Sequence, residues 1–129
     1  MKPASVPRAT LRELQALEFD NSFVRELPAD RVQDNVPRQV PSASYTRVDP
    51  TPVASPRLLG WSAELGEYLG IAKPASAEVL GGNRVLPGMQ PYAARYGGHQ
   101  FGGWAGQLGD GRAITLGEIF ATDGSRQEL

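Results

Sequence analysis

Glycine is concentrated in one stretch of this chain, and that concentration constrains the fold more than any other feature. Eight of the fifteen glycines lie between Gly97 and Gly117. Each glycine inside a helix costs about 0.5–1 kcal/mol relative to alanine, so a packed helix is disfavoured here. Aromatic residues suited to half-buried strands stand among the glycines: Tyr96, Phe101 and Trp104. The pattern predicts strands joined by sharply turning backbone.

The residues after this glycine-rich stretch complete an antiparallel pattern. Residues 112–121 (RAITLGEIFA) are typical of a strand, and Asp123-Gly124 is a dipeptide that favours a hairpin turn. A third strand is expected to begin at Arg126. The predicted order is therefore strand, glycine-rich loop, strand, hairpin turn and strand.

A glycine loop between antiparallel strands can bring backbone N–H groups close to phosphate oxygens. The segment 106–112 (GQLGDGR) would form such a loop, and the forked guanidinium of Arg112 would add a cation suited to phosphate. Flexible turns that bind nothing explain the same glycines. The residues alone leave a phosphate-binding loop and plain turns as alternatives.

Composition limits the class of protein. The 129 residues suit one domain or part of a larger one, and thirteen basic side chains balance fourteen acidic ones. This balance gives no general attraction to nucleic acid or to a membrane. Cysteine is absent, no signal-peptide core is present, and no apolar run approaches the roughly eighteen residues of a membrane span. We expect a cytoplasmic protein.

The first part of the chain is rich in proline instead of glycine. Residues 1–57 contain eight of the eleven prolines and no glycine. The proline-rich segment, Pro37 to Pro56, requires extended backbone and excludes long helices. It is expected to wrap the surface as an arm anchored by Tyr45 and Val48, with a flexible linker as the alternative.

The sequence predicts only short helices. Thr10 with Glu13 is predicted to form a capping box for a first helix, whereas residues 19–27 (FDNSFVREL) are expected to be extended. The clearest helix is predicted to begin at Ser55, with proline in its first position, and to end at Gly70.

Further helical segments are predicted around this one. The apolar face of the helix that follows Ser55 should place Trp61 in the core. A short helix is predicted over Ser76–Leu80, and a turn of helix over residues 92–95.

Polar residues in the glycine-rich stretch have several possible roles. His99 is the only histidine, with Asp110 as its only nearby carboxylate, so hydrogen bonding to loop backbone is favoured over metal binding. Gln100 and Gln107 are expected to satisfy loop amides. Asp110 is expected to brace the loop, with an approach to a nucleotide-bound cation as the alternative. Glu118 is expected to be solvated or ion-paired.

The string from Tyr96 to Ala113 (YGGHQFGGWAGQLGDGRA) resembles the selenoprotein O (SelO/YdiU) family. LPGM at residues 86–89 and LGE at residues 116–118 add to the resemblance. It implies a protein-kinase-like fold and the transfer of AMP from ATP to Ser, Thr or Tyr hydroxyls of proteins. The implied partners are therefore ATP and protein substrates, with no nucleic acid and no membrane.

Carried over by motif, the resemblance assigns nucleotide binding to Gly109, Gly111 and Arg112. The family's nucleotide-binding lysine, its catalytic aspartate and its Mg²⁺ ligands have no match here, which implies that they lie beyond residue 129. The chain is thus expected to be an amino-terminal piece with no catalytic or metal-binding residue, inactive alone. Two alternative functions remain: a non-catalytic nucleotide-binding module and a purely structural β-hairpin domain.

The predicted fold is α+β and is the start of a kinase-like N-lobe. Residues 1–54 are predicted to form an N-terminal helix and the proline-rich, surface-wrapping arm. Residues 55–129 are predicted to form the first part of the N-lobe. In that incomplete domain, one or two short helices precede antiparallel strands with a glycine-rich nucleotide loop.

Overall fold

The computed structural model describes residues 10–32, 34, 36, 38–108 and 113–129. This part of the chain is α+β, as predicted, and its short helices and antiparallel strands are compatible with a kinase-like N-lobe. The helical elements are a 3₁₀ turn (Leu14–Ala16), α1 (Ser22–Glu26) and α2 (Ala63–Leu69). The strands are β1 (Tyr45–Arg47), β2 (Tyr92–Ala94), β3 (Tyr96–Gln100), β4 (Gly103–Leu108), β5 (Glu118–Phe120) and β6 (Arg126–Glu128).

The described strands associate as antiparallel pairs: β1 with β2, β3 with β4, and β5 with β6. β1 lies in the proline-rich segment, so that segment shares a sheet with β2, and Thr46 is paired with Ala93. Tyr92 also exchanges both backbone hydrogen bonds with Thr115, at 3.0 and 2.9 Å. β2 therefore lies between β1 and the residues that lead into β5. The predicted division of the chain at residue 54 stays a prediction.

An apolar core joins residues from both halves of the chain. Leu69 of α2 and Trp61, which precedes α2, pack against this core. The position of Trp61 agrees with the prediction. Burial of such side chains is the main stabilising contribution, at about 25 cal/mol per Å² of apolar surface. The buried members of this core are Leu14, Leu17, Ile71, Val79, Leu86, Met89, Leu116 and Ile119.

A cluster of packed aromatic rings joins α1 to β1 and β2. The rings of Phe23 and Tyr92 are stacked with centroids 4.8 Å apart, and the edge of Tyr45 meets Tyr92 at 5.5 Å. Such ring pairs contribute roughly 0.5–1.5 kcal/mol beyond their buried area. The buried hydroxyl of Tyr45 donates to the Val24 carbonyl at 2.6 Å. The prediction that Tyr45 anchors its segment is confirmed by this burial.

The start predicted for the longest helix is wrong, although its end is confirmed. α2 begins at Ala63 and is capped by Ser62, whose hydroxyl oxygen accepts the Leu65 N–H at 3.2 Å. Gly70 ends it in the left-handed conformation, with φ of 71°. A helix that started at Ser55 would have enclosed Gly60 as well as Gly66, whereas the run after Ser62 contains only Gly66 among mostly good helix formers.

Other local predictions are also wrong. Residues 19–27 contain α1 instead of an extended anchor, and residues 92–94 form strand β2 instead of a helical turn. The first helical element is only a 3₁₀ turn, entered from Glu13 without a side-chain cap, so the predicted Thr10 capping box is not formed. Residues 76–80 form no helix: the chain bends at Ala77 and turns over residues 78–80. In α1 and β2, contacts with residues distant in sequence override local propensity.

Candidate functional site

The glycine-rich stretch begins with a tight hairpin. β3 and β4 are joined at Phe101-Gly102, whose φ angles are 51° and 79°. Gly106, Gln107 and Leu108 lie in β4, so these three residues of the predicted loop are in a strand. The predicted nucleotide-binding residues Gly109, Gly111 and Arg112 lie outside the described residues, as does Asp110.

The chain is held on both sides of this predicted nucleotide segment. Leu108, the last residue of β4, is paired with Tyr96, and Thr115 is paired with Tyr92. Tyr92 and Tyr96 are four residues apart, on either side of the junction between β2 and β3. The described residues on both sides of this segment are therefore paired with the β2–β3 part of the chain.

Gln107 links β4 to the proline-rich segment. Its side-chain oxygen accepts the Val40 N–H, and its side-chain nitrogen donates to the Val40 carbonyl at 2.8 Å. The sequence predicted that Gln107 would satisfy amides of the glycine loop. It instead satisfies both backbone groups of a residue 67 positions earlier, so the hairpin and the proline-rich segment are joined where β4 ends.

A group of charged side chains makes a second link beside the hairpin. The Asp30 carboxylate accepts from Arg95 at 3.1 Å and also from Arg38. The Asp30 and Arg95 side chains are 4% and 9% exposed. The hydrogen bond from Arg38 is the largest influence that lowers the pKa of Asp30 to about 2. The carboxylate is thus ionised at neutral pH and ties Arg38 to the residue between β2 and β3.

His99 lies in β3, where its ring meets the edge of Trp104 with centroids 5.1 Å apart. This contact is aromatic, and the hydrogen-bonding role predicted for His99 stays a prediction. Among the residues that the structure describes, no group of three or more His, Cys, Asp or Glu side chains could hold a metal ion. The described residues therefore do not fit a Mg²⁺ site.

The prediction for Glu118 is wrong. The residue is 4% exposed, and its carboxylate accepts the Phe23 N–H at 2.7 Å. It thereby satisfies a free amide at the start of α1, where helix geometry leaves N–H groups without partners. No local pattern indicates this role, because Glu118 and Phe23 are 95 positions apart.

A groove of about 550 Å³ separates the hairpin from the proline-rich segment. Its walls carry apolar side chains on both sides, and Arg95 also lines it. The principal side chains that line it are Phe23, Leu27, Val40, Arg95, Tyr96 and Trp104.

The fold and this site define a small α+β unit organised around a glycine-rich hairpin. Residues 33–129 match the sequence profile of the family described as "Protein adenylyltransferase SelO". The chain therefore belongs to the SelO family, as its motif predicted. No helix in the described ranges is long and apolar enough to cross a membrane.

Curated relatives bear names that agree with this family. The chain is 65% identical over 130 residues to "Protein nucleotidyltransferase YdiU" of Nitrosospira multiformis, a match covering 97% of this chain and 23% of the relative. Identity to the protein of the same name from Azoarcus sp. is 62% over 121 residues, or 90% of this chain and 23% of the relative. Identity to the protein of that name from Methylobacillus flagellatus is 55% over 118 residues, which cover 88% of this chain and 23% of the relative. The chain spans about a quarter of the length of these relatives.

Proposed function

We propose that this chain is the amino-terminal part of a protein adenylyltransferase that transfers AMP from ATP to Ser, Thr or Tyr hydroxyls of proteins. The observation that carries the proposal is the 65% identity, over 97% of the chain, to a protein named a nucleotidyltransferase. Because that relative is about four times as long, the activity is assigned to the longer protein. The 129-residue chain alone is proposed to be inactive, and the longer protein to be cytoplasmic.

The proposed reaction exchanges one phosphorus–oxygen bond for another. The hydroxyl oxygen of the protein substrate bonds to the α-phosphorus of ATP, and the bond from that phosphorus to the bridging oxygen breaks. Pyrophosphate leaves, and the hydroxyl proton passes to a base. Groups that bind the phosphate oxygens lower the barrier, because they stabilise the charge that shifts toward the leaving pyrophosphate.

Within this chain, Gly109, Gly111 and Arg112 are proposed to contact the phosphates. Glycine lets backbone N–H groups come close to an anion, and arginine can donate two parallel hydrogen bonds to it. The anchored positions on either side, Leu108 and Thr115, support this proposal because they limit where the connection can run. Mg²⁺ is proposed as a cofactor held by other residues of the longer protein, where it would neutralise phosphate charge.

The test uses the full-length protein and ATP labelled on either the α- or the γ-phosphate, with the protein itself and a bacterial lysate as acceptors. Transfer of the α-label to protein, release of pyrophosphate and no transfer of the γ-label are expected. Transfer of the γ-label would indicate a kinase, and transfer of neither label would reject group transfer to these acceptors.

The alternatives are a nucleotide-binding module without chemistry and a structural β-hairpin domain. Titration calorimetry of the full-length protein with ATP, with and without Mg²⁺, distinguishes them. Binding without transfer would favour the module. The absence of both binding and transfer would favour the structural domain.

A further inference from the structure

The hairpin Tyr96–Leu108, here called the aromatic hairpin, has an unusual surface. Its thirteen residues (YGGHQFGGWAGQL) include no Asp, Glu, Lys or Arg. Three of its aromatic side chains are exposed: Tyr96, Phe101 and Trp104, which is 64% exposed. Single exposed apolar residues are ordinary on a protein surface, whereas a group of this size marks a contact surface.

The Trp104 ring packs against two residues of its own hairpin. Its ring lies directly over Gly97, where a Cβ atom would collide with it, and the His99 ring meets it edge to face at 5.1 Å. A side chain that is already ordered loses little conformational entropy on association. Trp104 thus has the properties of an anchor residue in an interface.

Phe101 occupies a turn position that rarely accepts a bulky side chain. It has φ of 51°, at a turn position where Asn, Asp or Gly is usual, because other side chains crowd the backbone there. Its side chain is fully exposed, so packing within the described residues does not offset this strain. A strained, exposed aromatic residue indicates a contact outside this part of the chain.

The edges of the aromatic hairpin carry no further strand in the part of the chain that the structure describes. Among the described strands, β3 and β4 pair only with each other. A two-stranded hairpin is marginally stable in water, and exposed edge strands normally carry charges that prevent further pairing. The aromatic hairpin carries none, so long exposure to solvent would favour association.

We propose that the aromatic hairpin docks permanently against a further part of the same polypeptide, within the region by which the relatives exceed this chain. Those relatives are about four times as long, so ample polypeptide can supply the apolar partner surface. Interface cores are depleted of charged residues, and a surface without any charge suits a permanent contact better than one that is repeatedly exposed. The groove between Val40 and Trp104 can accept an apolar side chain of that partner surface. This inference rests on the family assignment and is independent of AMP transfer.

The test measures solvent access in the full-length protein. Trp104→Cys and Phe101→Cys are each treated with a maleimide, in native buffer and in denaturant, and labelling is read from the peptide by mass spectrometry. Leu59→Cys is the matched control, because Leu59 is 91% exposed and lies outside the hairpin. The control should react natively within about twofold of its denatured rate, and the hairpin positions more than about tenfold more slowly.

Equal native rates at the control and hairpin positions would overturn the proposal. Protection that disappears on dilution would identify a second copy of the protein as the occupant, and protection that appears only with ATP would identify a nucleotide-dependent contact. Either result also overturns the proposal. If the cysteine variants do not fold, hydrogen exchange of amides 96–108 in the unsubstituted protein replaces them, and rapid exchange there rejects a docked hairpin.

Discussion

Glu118 at the start of β5 accepts the backbone N–H of Phe23 in α1, with 2.7 Å between the oxygen and the nitrogen. Asn21 strengthens the same junction: its side-chain oxygen accepts the Glu118 N–H at 3.3 Å, and its side-chain nitrogen donates to the Gly88 carbonyl at 2.6 Å. A five-residue helix does not form stably alone. The start of α1 is therefore stabilised by a strand instead of by a neighbouring cap.

Replacement of Glu118 should weaken this junction. Glu118→Ala leaves the Phe23 N–H without its acceptor and should cost about 1–3 kcal/mol in the free energy of unfolding. Glu118→Gln keeps an oxygen acceptor and should cost less. Urea unfolding followed by circular dichroism measures both. Glu78→Ala, on an exposed turn, is the control, and an equal loss there would contradict the capping role.

The ion pairs of Asp30 should make the stability of the fold depend on pH in the acid range. Its pKa in the fold, about 2, lies below the ordinary value of 3.8, so its stabilising contribution is complete above about pH 4 and is lost as pH falls through about 2. Asp30→Asn should be less stable than the unsubstituted protein at pH 7, and the difference should shrink between pH 4 and pH 2. Urea midpoints at several pH values measure it. A difference that stays constant with pH would count against the ion pairs, and Asp49→Asn at an exposed site serves as control.

Gln107 should hold the proline-rich segment to β4. Gln107→Leu removes both hydrogen bonds to Val40, so hydrogen exchange at the Val40 amide should quicken by about fivefold, equivalent to about 1 kcal/mol. Gln107→Glu keeps only the acceptor and should have an intermediate effect. Gln100→Leu, at an exposed position in β3, should leave the rate unchanged. An unaltered Val40 rate in Gln107→Leu would show that the segment is held by other contacts.

Gly117 should not tolerate a side chain. A Cβ atom there would lie 2.6 Å from Phe19 Cδ1 and 3.2 Å from Asn21 Oδ1. Gly117→Ala should therefore destabilise the fold by about 1–3 kcal/mol through overpacking. Gly60→Ala is the matched control, since nothing lies within 4 Å of its Cβ position, and it should be neutral or stabilising by up to about 1 kcal/mol. Thermal unfolding of the two variants checks the difference, and equal midpoints would contradict it.

Arg112 should contribute to ATP use in the full-length protein. If its guanidinium contacts phosphate, Arg112→Ala should lower kcat/KM for ATP by an amount equivalent to about 1–3 kcal/mol. Arg112→Lys keeps the charge without the planar fork and should lose less. Initial rates of AMP incorporation give both values, with Arg84→Ala at an exposed position as control. Unchanged kinetics in Arg112→Ala would remove this residue from the nucleotide site.

Features determined by adjacent residues were predictable from the sequence. The turn at Asp123-Gly124 forms as expected: the Asp123 carboxylate accepts the Ser125 N–H at 2.9 Å, and Gly124 has φ of 81°. Strand β6 begins at Arg126, and Gly70 ends α2, both as predicted. In each case the conformation follows from the residue types of a few neighbouring positions.

Features that depend on distant partners were missed. α1 depends on Glu118, β2 depends on its pairing with β1, and Gln107 contacts Val40 across 67 positions. Local propensity contains no information about these partners. In the candidate site, the motif around Arg112 predicted the family, while the attachment of the hairpin to the proline-rich segment required the three-dimensional structure.

The Glu118–Phe23 contact also has a consequence for synthesis of the protein. Its partners are 95 positions apart, and β1 likewise cannot pair until β2 has been synthesised. As the nascent chain leaves the ribosome, α1 and β1 therefore have nothing to fold against until most of these residues have emerged. Such long-range closure slows folding. Translation should thus expose the beginning of this chain to chaperones and proteases for longer than a chain that folds progressively from its amino terminus.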